Sequence, residues 1–341
     1  MLRIFIAASL LSALIFPAAG NPAENKCLKS VTLTLHWLPQ AQFAGYYMAL
    51  KKGFYQQQGL DVKILHKKPH ESIFELLKKR KTDFITVFLS TAIKARSQGL
   101  DLVNTGQISQ KSALVFVARK DSNIKTIKDM HGCKVGIWTV DFKVIPQVLL
   151  QKNNVKSEII PVVSDVDLFL WRGVDVIVTM WYNEYHMILN AGINEDELTT
   201  FFFSDHGLDI PEDGIYCLER YWQKNPEICR RLLAATMQGW RAAFRNKKKA
   251  LRLIQKYCKA GHRPFNKAHQ QWMLSKMEKL IFPDNQNCQG RLSASAFKKS
   301  VKILQMAGVI KAVPTYNSFC RIADLSKIER GNDVQRSKSG F

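Results

Sequence analysis

The segment His36–Ile64, HWLPQAQFAGYYMALKKGFYQQQGLDVKI, constrains this chain more than any other stretch. Just before it, Val31 to Leu35 alternates Val, Thr, Leu, Thr, Leu and reads as a strand. Gln42 to Gln57 reads as a helix ending near Gly59, and Asp61 to Leu65 as the next strand. Trp37, Tyr46 and Tyr47 therefore fall where a strand hands over to a helix. In an open α/β sheet that is where ligands bind. Ring-rich side chains at such a place suit a flat, partly apolar small molecule.

The alternation continues. Glu71 to Arg80 has a helical period, Asp83 to Phe88 is a strand, and Ser90-Thr91 opens a helix to Ser97. Leu100 to Thr105 and Ala113 to Ala118 are further strands. A second set follows, with strands at Lys134 to Trp138, Ile159 to Val163 and Val174 to Met180, and helices at Lys143 to Gln151, Asp165 to Leu170 and Tyr185 to Asn190. Ile215 to Leu218 rejoins the first set, and mostly helix comes after it. This pattern implies an α/β protein with largely parallel sheets. It predicts two lobes around a cleft: residues 28–118 with 215–320, and residues 119–214. The chain is expected to cross near Arg119 to Asp121 and again near Ile210 to Gly214. Two lobes joined in this way can close on a ligand by hinge bending.

Residues 1–20 stand outside the pattern. Arg3 precedes an apolar run from Ile4 to Phe16, and Ala18-Ala19-Gly20 supplies small residues for cleavage. This reads as a secretory signal cut near Gly20, which places the mature chain in the periplasm. A polar tail is expected over residues 321–341. Seven cysteines remain, with no C-x-x-C pair, so a zinc ribbon or redox motif is unsupported. An oxidising compartment permits a bridge such as Cys258 with Cys288; several buried unpaired thiols fit as well. His66 and His70 have metal-like spacing, but Pro69 forbids a regular helix between them, so no metal or cofactor is expected.

The net charge of +22 is uneven. From Glu219 to Phe341 there are 26 basic and seven acidic residues, whereas Asn21 to Leu218 holds 23 and 21. The excess lies on the C-terminal helices, either as a solvated face or as a surface for an anionic membrane or acidic partner. A nucleic-acid partner is not expected of an exported chain.

Trp37-Leu-Pro-Gln-Ala-Gln-Phe-Ala-Gly-Tyr-Tyr47, Lys52-Gly-Phe-Tyr55 and Gly59-Leu-Asp-Val62 resemble the opening of a known family. It contains the thiamine-pyrimidine precursor binding proteins and the yeast-type pyrimidine synthases. Gly173-Val-Asp175 through Met180-Trp-Tyr-Asn-Glu-Tyr185, and Asp205-His-Gly207 with Pro211-Glu-Asp-Gly-Ile-Tyr216, are similar to the same family. The resemblance implies a periplasmic-binding-protein fold of the second type. It also implies an aminopyrimidine-type heterocycle as ligand and an ABC permease and ATPase as partners. The synthase branch draws its product from pyridoxal phosphate and its own histidine, using a lysine four residues before that histidine. The matching positions here are Val87 and Thr91, which can neither form a Schiff base nor donate an imidazole. Of that branch's cysteine cluster only Cys217 remains. The resemblance therefore implies a binder rather than an enzyme. Riboflavin or another heterocycle, a synthase-like activity and a sensory ligand-binding subunit are the alternatives.

The residues expected to touch the ligand are Trp37, Gln42, Tyr46, Tyr47, Ser90, Thr91, Trp138, Tyr182, Asn183, Glu184 and Glu212. Trp37 and the tyrosines supply ring faces, though at least one of two adjacent helical tyrosines must point into the core. Asn183 can donate and accept, and Glu184 can accept from an amino group or ring N–H. A carboxylate stabilised at a helix N-terminus would explain Glu184 as well. Ser90 and Thr91 stand where helix N–H groups favour an anion or carbonyl oxygen, or where they simply cap. Trp138 ends a strand. Glu212 and Asp213 either line the cleft or cap the hinge.

Overall fold

The computed structural model describes residues 28–68, 70–138, 143–163, 165–283 and 290–321. The expected signal segment, Cys27, Cys288 and the polar tail beyond Arg321 lie outside the described residues.

Ten strands form two five-stranded sheets. They are β1 (Lys29–Leu35), β2 (Leu60–His66), β3 (Phe84–Phe88), β4 (Leu102–Gln107), β5 (Leu114–Arg119), β6 (Lys134–Trp138), β7 (Glu158–Val162), β8 (Val176–Met180), β9 (Leu198–Phe202) and β10 (Asp213–Leu218). The first sheet has the order β2-β1-β3-β10-β4 and the second β7-β6-β8-β5-β9. β1 runs parallel to β2 and β3, and β6 runs parallel to β7 and β8. One antiparallel strand is inserted in each sheet: β10 between β3 and β4, and β5 between β8 and β9. The sheets are thus mixed rather than largely parallel.

The position of β5 moves the expected first crossing. Its ladder sets Leu114 opposite Met180 and Val115 opposite Phe202, so it belongs to the second sheet. Strand alternation then buries both its faces: Leu114, Phe116 and Ala118 join the main core, and Val115 and Val117 join a separate cluster with Phe169, Ile177 and Ile188. The chain therefore crosses at Ile108–Ala113, not at Arg119–Asp121. It returns through Ile210–Glu212, close to the expected place.

The two crossings are stitched side by side. The amides of Ile108 and Ser109 both donate to the Asp213 carbonyl, at 2.9 and 3.0 Å. Gln107 Nε2 donates to the carbonyls of Glu212 and Asp213 at 3.0 and 3.1 Å.

The expected helix from Gln42 to Gln57 is divided. A 3-10 turn at Ala41–Phe43 leads into a helix at Ala44–Lys51, and a short turn resumes at Phe54–Gln57. Gly53, at φ +70°, adopts the left-handed conformation that ends the first piece. The Ala44–Lys51 helix packs on the long Pro226–Arg245 helix through glycine. A Cβ on Gly239 would stand 2.1 Å from the Gly45 carbonyl, and one on Gly45 would meet the Trp240 ring at 2.2 Å. The small residues allow the two backbones to touch, and this contact fixes the aromatic turn against the core.

Candidate functional site

The candidate residues follow the ends of β1, β3, β6 and β8 or stand at the start of β10. His36 follows β1. Its Nδ1 lies 2.8 Å from Thr86 Oγ1, and its ring stands edge-on to Phe43 and Phe88 at 5.5 and 5.0 Å. The His36 amide already donates to Thr86 Oγ1. The threonine hydroxyl can donate to Nδ1 or accept from it, according to the His36 tautomer. The ring Nε2 faces Asp213 Oδ1 at 3.6 Å. Burial, with His66 and Lys67 nearby, lowers the His36 pKa to about 3, so the pair is a neutral imidazole beside a carboxyl and not an ion pair.

Asp213 is the centre of the first wall. Gln42 Nε2 donates to its Oδ2 at 2.9 Å, while Oδ1 has no hydrogen-bond partner among the described residues. Burial pushes its pKa up to about 7, and the Gln42 bond offsets part of that rise. Tyr46 is buried with its ring 6.1 Å from Trp240. Its hydroxyl also lacks a partner, and its pKa is raised by burial and by the nearby Asp213. Tyr47 is turned away. It stacks on Tyr257 at 3.8 Å and its hydroxyl is 2.9 Å from His66 Nε2. Helical neighbours point about 100° apart, and here both directions end in the core. His66 Nδ1 in turn meets the Trp37 carbonyl at 2.6 Å, so His66 braces the turn. Among the described residues no group of three possible ligands could hold a metal. Trp37 itself is half-buried against the core.

Ser90 and Thr91 lie in the first turn of the Leu89–Ser97 helix, whose cap is Phe88 with no side-chain bond, so neither of them caps it. Thr91 Oγ1 is buried without a hydrogen-bond partner among the described residues. Trp138 is buried at the end of β6.

The second wall follows β8. Glu184 opens the Glu184–Asn190 helix and is buried rather than solvated. Its Oε2 accepts from the Met180 amide at 2.9 Å and its Oε1 from Asn183 Nδ2 at 2.7 Å. Burial raises its pKa despite those bonds. Tyr182 is buried. Its hydroxyl pKa is raised by burial first and then by Asp213, Glu212 and Glu184. Three carboxyls are thus near enough to one phenol to disfavour its ionisation.

Glu212 and Asp213 are held differently. Glu212 Oε1 accepts from the Ala113 amide at 2.6 Å and from Ser112 Oγ at 3.3 Å, so Glu212 clasps the opposite crossing. Asp213 is held by Gln42 instead, with Oδ1 left unshared among the described residues.

The sequence reading passed over His36, His269 and Trp272. The last two lie on the Lys267–Ile281 helix. His269 Nε2 is 3.0 Å from Asn183 Oδ1, and Trp272 Nε1 donates to the Trp181 carbonyl at 2.9 Å. Their partners are more than 80 residues away, so no local pattern marks them. The possible bridge at Cys258 is replaced by a free buried thiol that donates to the Pro39 carbonyl at 3.3 Å.

Two mixed sheets joined by a pair of stitched crossings, with a polar site between them, make this a two-lobed α/β protein of the periplasmic-binding-protein fold. The aliphatic sulphonate binding protein SsuA of Escherichia coli superposes with a TM-score of 0.66 at 15% identity, covering 85% of this chain and 97% of that one. Residues 40–250 match the family model described as NMT1/THI5 like, and the chain belongs to that family. The riboflavin-binding protein RibY of Chloroflexus aurantiacus is 24% identical over 65% of this chain and 64% of its own length. The formylaminopyrimidine-binding protein of Halalkalibacterium halodurans is 22% identical over 74% and 79%.

Proposed function

We propose that this protein is an exported solute-binding protein that captures a thiamine-pyrimidine precursor of the formylaminopyrimidine type for an ABC importer. The acidic lining carries the reading. Asp213 and Glu184 both lie near Tyr182, and no Lys or Arg is buried among the described residues. Such a cleft favours neutral or cationic ligands bearing N–H donors, because a buried anion would face carboxyls without a counter-charge. The sulphonate of the structural neighbour fits this lining poorly. An aminopyrimidine offers an amino group to Asp213 and Glu184, and ring faces to Trp37 and Tyr182.

Binding, not synthesis, is the activity. Val87 lies within β3 opposite Gly214, and Thr91 follows it in the helix, so no amine or imidazole stands where the synthase chemistry needs one. Closure would bring Asn183 and Glu184 onto a ligand seated on the first wall, and the permease would read the closed form. Riboflavin is the second reading, favoured by the similarity to RibY, and its own ring N–H also suits a carboxyl.

Calorimetry with a formylaminopyrimidine, riboflavin and an alkanesulphonate tests the choice. Saturable heat with the first alone is expected. A yellow protein that binds riboflavin and ignores the pyrimidine would replace the reading, and tight sulphonate binding would overturn the electrostatic argument.

A further inference from the structure

We infer that His269 and Trp272 are positioning residues, and that the Lys267–Ile281 helix is a clasp that ties the two walls of the cleft to each other. One side of this helix holds the aromatic turn. Gln270 Oε1 accepts from the Ala41 amide at 2.7 Å, and Met273 Sδ accepts from the Gln42 amide at 3.2 Å. The adjoining face holds the second lobe. His269 reaches Asn183, Trp272 reaches the Trp181 carbonyl, and Lys276 Nζ lies 4.1 Å from the Trp181 ring centre and 3.9 Å from that of Trp272. At about 100° per residue, positions 269, 272 and 276 share one face of the helix and 270 and 273 the face beside it. About two turns of helix thus contact both expected walls.

The proton inventory gives His269 a definite task. Asn183 Nδ2 is donated to Glu184 Oε1, so the amide oxygen of Asn183 must accept from His269 Nε2–H. That bond fixes which way the Asn183 amide points, and with it one of the donors that hold the Glu184 carboxyl. His269 Nδ1 is then an acceptor, and His186 Nδ1 faces it at 3.1 Å. Burial and the neighbouring His186 lower the His269 pKa to about 4, which keeps the ring a one-proton donor near neutrality. Burial, with Lys276 nearby, lowers the His186 pKa as well. The tie stands on these contacts and requires no particular ligand.

Hydrogen exchange on the ligand-free protein tests it. In His269→Ala and in Trp272→Phe, exchange across residues 180–186 should quicken about tenfold while β1 keeps its protection. His269→Gln, which retains an N–H toward Asn183, should stay near the wild-type rate. Unchanged exchange over 180–186 in both disruptive variants would overturn the clasp, and so would a His269→Gln protein as fast as His269→Ala. If His269→Ala also loosens β1, Trp272→Phe decides in the same way, since it keeps an aromatic ring and removes the indole N–H. Because no ligand is present, a failure here is distinct from a failure to bind a pyrimidine.

Discussion

The aromatic turn of the first lobe is packed from several sides, whereas the Trp181–Glu184 wall of the second lobe hangs on a handful of directed bonds. Tyr46 lies against Trp240, Tyr47 against Tyr257, and Phe43 between His36 and His66. Opposite them, Glu184 holds the end of β8, Asn183 holds Glu184, and His269 holds Asn183 from across the cleft. A wall made by packing is present before a ligand arrives. A wall made by directed hydrogen bonds lasts only as long as its few partners stay in place. Under the proposed function both serve, one to seat a small molecule and the other to let it go.

The largest expected effect breaks the packed wall. Gly239→Ala would place a methyl group 2.1 Å from the Gly45 carbonyl and 2.8 Å from the Ala49 amide nitrogen. Neither backbone atom can move aside alone, so the two helices must separate, at a cost of about 3 kcal/mol or more. Chemical denaturation should show that loss, and a wild-type midpoint would mean that the turn is looser than its contacts indicate.

Next comes the join between the lobes. Glu212→Ala removes the acceptor of the buried Ala113 amide and should destabilise the protein by roughly 1–3 kcal/mol. Glu212→Gln keeps an acceptor and should recover most of it. On the ligand side, Trp37→Ala should weaken pyrimidine binding by about 1–3 kcal/mol with little change in folding if its half-exposed ring stacks on the ligand. An unchanged affinity would assign Trp37 to the core with Tyr47.

Asp213 sharpens the comparison through pH. Its folded pKa is raised, so between the unfolded value and about 7 the native state binds more protons than the unfolded one. Stability contributed by the protonated carboxyl is present at low pH and is lost as pH rises toward 7. Asp213→Asn removes that dependence. The stability of Asp213→Asn relative to wild type should therefore increase from about pH 5 to about pH 8. Taking the difference between the two proteins cancels the histidines, whose lowered pKa values act in the opposite direction. A flat difference would show that Asp213 is not buried as a proton-binding group.

Much of this was legible in the sequence, for identifiable reasons. β1, β2, β3, β6 and β8 carry alternating or continuous apolar runs, and their bounds agree with the pattern to within two residues. β5 reads as a strand too, but its residues suit either sheet equally. Only its ladder to Met180 and Phe202 assigns it, and ladders are long-range. Glu212 and Asp213 are adjacent acids whose division into clasp and Gln42-held group depends on strand alternation at a crossing. His269 and Trp272 sit in a helix whose apolar pattern accounts for Met273 and Met277 but says nothing of a partner lobe.

The smallest effect concerns the back of the packed wall. The Lys247–Ala260 helix presents Tyr257 and Cys258 inward, to Tyr47 and to the Pro39 carbonyl. Arg245, Lys248, Arg252, Lys256 and Lys259 are exposed, and no Asp or Glu occurs from Ile228 to Met277. If this face meets an anionic membrane, the rigid lobe is the one that docks, and the second lobe stays free to open and close. Each basic residue near such a surface contributes about 1 kcal/mol, screened by salt. Replacing Lys248, Arg252 and Lys256 with Glu should abolish sedimentation with vesicles rich in anionic lipid at low salt and leave ligand affinity unchanged. Equal sedimentation of the variant and the wild type would mean that the face is merely solvated. A loss of ligand affinity in the variant would mean instead that this helix supports the aromatic turn through more than Tyr257 and Cys258.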